Sequence, residues 1–191
     1  MFEGKFKEGQ EQTAILEEIE GVISVQSLEA FLQWIYLHKI EFDLREPEHQ
    51  ISAAIELARF ADMCNVRTME SEISQYLKRV MIDNPSPEKN QLGEVDTFSV
   101  ISQHIVSATF LPQGHEIRRL LAMAAVTGYL CYENHKFAQE TRDYPTFGAD
   151  LLQQVGYTLQ GLKMPRLAKP EVTFTDPLDG CPVTIHRFLT K

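Results

Sequence analysis

The sequence predicts a mainly α fold with a minor β component (α+β), and three observations carry that expectation. Apolar residues recur at i, i+3, i+4 and i+7 through most of the chain. Prolines and small polar residues gather between those stretches, as in "IDNPSPEKNQLGEV". Alternation of the kind a strand needs is confined to short segments near the two ends.

Residues 13–19, "TAILEEI", fit a short strand with Ile15 on one face, and "EGVIS" supplies a turn. A first helix is predicted over 27–39. Ser27 is its expected N-cap, Glu29 lies in the positive first turn, and His38 and Lys39 meet the last carbonyls. Leu28, Phe31, Leu32 and Ile35 form its stripe. Trp34 and Tyr36 broaden that stripe, so burial on more than one side is expected. "EFDLREPEH" is a loop, with Pro47 just inside the next helix.

The second helix is predicted over 48–64 with Ile51, Ala54, Ile55 and Ala58 inward, and Asn65 is its left-handed stop. The third runs over 67–82 on Met69, Ile73, Tyr76, Leu77 and Val80, and should pair with the second. After the proline-containing break, helices are predicted over 96–109 (Phe98, Ile101, Ile105), 115–134 (Ile117, Leu120, Leu121, Ala124) and 146–162. The last has Phe147, Leu151, Leu152, Val155, Leu159 and Leu162 on its stripe. "EVTFT" and "PVTIHRF", joined by "DPLDG", read as a hairpin or as a proline-rich tail.

At 191 residues with 43% hydrophobic and 24% charged residues, the chain can build a core of ordinary size. The net charge of −9 disfavours binding to nucleic-acid phosphates and to anionic membranes. Cys64, Cys131 and Cys181 are odd in number, widely spaced and never in a CxxC pair. Cys64 and Cys131 are expected as buried free thiols, which suits a reducing compartment. With no signal pattern and no apolar run of spanning length, the expected location is cytoplasmic or nuclear.

No phosphate loop, dinucleotide glycine motif, nucleophile elbow or HExxH pair is present. His38, His49, His104, His115, His135 and His186 form no tight ligand pair. His104 and His115 flank a helix break and could face each other, while Cys131 and His135, at i, i+4, are expected to share a helix face. The first pair reads more simply as helix-end histidines and the second as packing. Glu17, Glu18 and Asp62 read as solvated carboxylates. Arg118 and Arg119 are two cations at a helix start in an acidic protein. The expectation is a non-enzyme with no cofactor and no metal. A small metal protein using Cys131, His135 and His104 is the remote alternative.

Residues 2–82 resemble the second half of a BTB/POZ domain, of the type abundant in filamentous fungi. The resemblance runs through "MFEGKFKEGQEQTAILEEI", "VQSLEAFLQWIYLHKIEF" and "AAIELARFADMCNVRTMESEISQYL". Phe31, Trp34, Ile35, Tyr36, Ala61, Asp62 and Val66 occupy the positions of the family pattern. It implies a partial BTB/POZ-like domain at 1–82, a linker at 83–95, a helical extension at 96–164 and a tail or short hairpin at 165–191. Met1 falls at the phenylalanine-rich turn, so the strands and helix that open a full BTB domain precede what this sequence contains. A truncated domain is the expectation, with open sheet edges, exposed apolar helix surface and no elements for the family's usual homodimer.

The resemblance also implies a protein–protein interaction module, acting as a substrate adaptor for a cullin-based ubiquitin ligase. Phe6, Lys7 and Glu8 match the family's cullin-contacting hydrophobic-x-Glu motif. An aromatic anchor beside an orienting carboxylate is sound physics for docking. The plainer reading packs Phe6 on Phe2 and Ile15. The alternative function is a regulatory or structural fragment without cullin binding, pairing with other BTB proteins through a sheet edge.

Overall fold

The computed structural model describes residues 17–85, 87–90, 93–96, 98–132, 134–162 and 171–186. Among them the fold is mainly helical: α1 Val25–Leu37, α2 Pro47–Met63, a 3-10 turn Arg67–Met69, α3 Glu70–Asp83, α4 Ser102–Ala108, α5 Glu116–Cys131, α6 Ala138–Asp143 and α7 Pro145–Gln160. Two antiparallel hairpins complete it, β1 Pro87–Asn90 with β2 Gly93–Asp96, and β3 Glu171–Thr175 with β4 Pro182–His186.

The first helix starts two residues earlier than expected, because Ser24 and Ser27 cap it reciprocally. Ser24 Oγ accepts the Ser27 N–H at 3.2 Å and Ser27 Oγ accepts the Ser24 N–H at 2.9 Å. His38, in the left-handed region at φ 51°, ends it, so Lys39 lies beyond the last turn. Of the predicted strand, residues 13–16 lie outside the described residues. Glu17–Ile19 is not a strand; Ile19 makes a single bridge to Ile23 across a turn at Gly21, φ 67°.

α2 begins with Pro47 and is stopped by Asn65 at φ 55°, as the pattern predicted. α4 is shorter than its predicted 96–109, because Phe98 and Ser99 both adopt positive φ and no helix passes through them. α5 stops at Cys131 rather than 134, where Tyr132 turns extended. α6 was not foreseen: none of its side chains is buried, so it has no apolar stripe for periodicity to register.

The buried core crosses the predicted linker, with Ile51, Ile55, Ile73 and Leu77 in one cluster with Ile117, Leu121 and Leu151. α5 is its centre, buried nearly all round. α7 packs on α5 through Phe147, Leu151, Gln154 and Val155, whereas Leu152 and Leu159, expected inside, lie one position round and face solvent. Gly148 lets the Thr141 carbonyl of α6 come within 3.0 Å of where a Cβ would stand.

Arg118, buried in α5, joins three segments. Its Nε and Nη2 donate to Asp150 Oδ2 of α7 at 2.8 and 2.7 Å, its Nη1 to Leu111 O at 3.1 Å and its Nη2 to Thr146 O at 3.3 Å. Asp176 anchors the C-terminal hairpin: it accepts the Thr127 hydroxyl of α5 and, at 2.8 Å, the Leu178 N–H, while Leu178 enters the core.

A buried carboxylate–guanidinium pair is costly to break from one side. Asp150→Ala is expected to destabilise the fold by about 3–5 kcal/mol in urea titration, and Arg118→Met with Asp150→Leu to recover most of that loss.

Candidate functional site

α1 is apolar on two opposite faces. Ser27, Ala30, Phe31 and Trp34, at i, i+3, i+4 and i+7, turn inward toward α2. The small Ser27 and Ala30 let the two helices approach, and the Phe31 ring meets Phe60 at 4.8 Å between centroids. Trp34 Nε1 donates to Glu72 Oε2 of α3 at 2.6 Å, which fixes the helix's rotation about its axis. This inner stripe is displaced one residue from the predicted Leu28–Phe31–Leu32–Ile35 stripe.

The displacement leaves Val25, Leu28, Leu32, Ile35 and Tyr36 on the outer side. Val25 is 71%, Leu32 42%, Ile35 44% and Tyr36 79% exposed. The expectation that Trp34 and Tyr36 reflect burial on several sides is therefore corrected: α2 covers one side and the other is open. Four of these side chains are exposed and Leu28 is half-buried, and together they form a contiguous apolar stripe rather than scattered surface leucines. Residues 17–37 carry Glu17, Glu18, Glu20 and Glu29 and no lysine or arginine. The four carboxylates are solvent-exposed, as predicted for Glu17 and Glu18.

Phe6, Lys7 and Glu8 lie outside the described residues. Of the family-pattern residues, Phe31 and Trp34 face α2, Ile35 and Tyr36 face out, and Ala61 is buried. Asp62 is exposed where α2 ends, and Val66 packs against the core.

The histidine and cysteine candidates are not brought together. His104 is buried between α4 and α2; its Nδ1 accepts the Ile101 N–H at 3.1 Å, so Nε2 carries the proton, 3.0 Å from both Glu48 O and Ser52 Oγ. His115 caps α5 through Nδ1, 3.2 Å from Ile117 N, beside Glu70 Oε1 at 3.7 Å. These two histidines have separate partners. His135 stands beyond the end of α5, its ring 5.2 Å from that of Tyr129, so it does not share a helix face with Cys131. Cys64, expected buried, is exposed where α2 ends, and Cys131 is half-buried; all three thiols are free. Among the described residues no three His, Cys, Asp or Glu side chains cluster as metal ligands.

A cleft of about 280 Å³ lies between the α2–α3 junction and the Pro112–His115 loop, with Asp62, Arg67, Glu70 and His115 around an apolar floor of Ala58, Ala61 and Ile73. Glu70 Oε1 there accepts the Glu116 N–H at 2.8 Å, so α3 helps cap α5. Among the described residues no helix is long and apolar enough to cross a membrane. No family model, curated protein or solved structure matches the chain.

Burial lowers the His104 pKa to about 4. Unfolded, it titrates near 6.5, so the unfolded chain binds the extra proton first as pH falls. Stability is expected to drop by up to about 3 kcal/mol between pH 6.5 and 4. Urea midpoints across that window check it, and His104→Gln should shrink the slope. His115 and His135, also lowered by burial, retain a remainder of the same sign.

Proposed function

We propose that this chain is a protein–protein interaction module of BTB/POZ type, with the outward face of α1 as its docking surface. The single observation that carries the module reading is the second apolar face of α1, open to solvent in a helix whose other face packs against the core. Burying a large aliphatic or aromatic side chain of such a face contributes about 1.5–3 kcal/mol each, enough for a specific partner to find it.

The BTB/POZ assignment rests on the resemblance across 2–82. The same resemblance extends the proposal to a substrate adaptor for a cullin-based ubiquitin ligase, through Phe6, Lys7 and Glu8. In that role the motif holds the cullin while other surfaces of the chain hold the protein to be modified.

Co-purification of the full chain with a cullin tests the adaptor role. Capture is expected from the natural sequence and should be lost, by at least about tenfold in affinity, in Phe6→Ala and in Glu8→Lys. Capture unchanged in both variants removes the Phe6–Glu8 docking motif. No capture from the natural sequence leaves an interaction module without cullin binding.

A further inference from the structure

We infer that the outward face of α1 receives a basic amphipathic helix of another protein, an inference that rests on reading this face as a docking surface. The stripe from Val25 to Tyr36 is straight, at helical spacing, and about 17 Å long at the α-helical rise. A partner helix of three turns, with apolar residues at i, i+3, i+4 and i+7, matches it by ridge-and-groove packing. Tyr36, the most exposed of the five, is among the residue types enriched as interface anchors.

Charge selects the partner. Glu29 sits within the outer face, and Glu17, Glu18 and Glu20 precede it on the approach to the helix. No lysine or arginine offsets them in residues 17–37. Arg59, over the Phe110 ring at 4.7 Å, reaches the turn at Gly21 and offsets only part of the charge of four carboxylates, while Lys39 is paired with Glu41 at 2.6 Å. The C-terminal end of α1 adds negative potential from its own backbone, and its last turn has no basic residue to compensate. A second copy of the chain would set these carboxylates against themselves, so the face disfavours self-pairing. A helix with lysines or arginines flanking its apolar stripe meets both needs.

Two labelled 18-residue designed peptides test this by fluorescence anisotropy with the full chain. They share one leucine–isoleucine stripe and differ only in flanks of lysine or of glutamate. The lysine peptide is expected to bind about tenfold tighter at about 50 mM salt, with the gap narrowing as salt rises. Glu29→Lys should weaken the lysine peptide severalfold. Ile35→Asp, at an exposed site, should abolish binding even though it adds a carboxylate, because attraction to the net negative chain alone would survive it. Circular dichroism of each variant checks that the fold is kept.

Equal affinity for both peptides, abolished by Ile35→Asp, overturns the basic-partner inference and leaves the docking face standing. Lysine-peptide binding that survives Ile35→Asp, or no binding of either peptide, overturns it as well. A dimer in light scattering that Ile35→Asp dissociates assigns the face to a second copy instead.

Discussion

The guanidinium of Arg118 is the constraint on which the second half of the structure depends. A buried cation must find acceptors for its donors or the fold loses several kcal/mol. Here the acceptors come from three places, the Asp150 carboxylate, Leu111 O and Thr146 O. Meeting that demand brings the loop before α5 and the first turns of α7 against the side of α5. Once α7 is seated, Phe147, Leu151 and Val155 complete the apolar jacket around the central helix, and Asp176 ties the last hairpin to it through Thr127.

Among the described residues the first half has no comparable polar anchor at its centre. α2 and α3 close on each other through aliphatic side chains, and α1 is added at the periphery. It is attached by an aromatic pair and by the Trp34–Glu72 hydrogen bond. A peripheral helix can be covered on one side only, since no further described element reaches its outer face. An apolar outer face is then a standing cost in water. The open apolar face arises from this imbalance between how much apolar surface the α1 sequence carries and how much the fold can enclose.

Polar groups between the halves are placed with similar economy. His104 spends its two nitrogens on a backbone N–H of the α4 cap and on acceptors of α2, and His115 and Glu70 share the capping of α5. Each imidazole supplies a hydrogen bond at a helix junction that an apolar residue could not, so a structural role accounts for both as they stand.

The helices α2, α3, α5 and α7 were legible in the amino-acid sequence because each buries one or more faces in a common core, and burial imprints a 3.6-residue period. Pro47 and Asn65 marked their ends by backbone geometry that any context respects. Composition alone also decided the acidic character of residues 17–37. Tertiary structure decided what local pattern leaves open. It chose which of two apolar faces of α1 turns inward, because that depends on where small residues meet α2 and on Trp34 reaching Glu72, contacts distant in sequence. It set Leu152 and Leu159 outside through contacts equally distant in sequence, made Arg118, a cation at a helix start, a buried tie, and folded α6, which has no fully buried side chain and so carries no periodic signal.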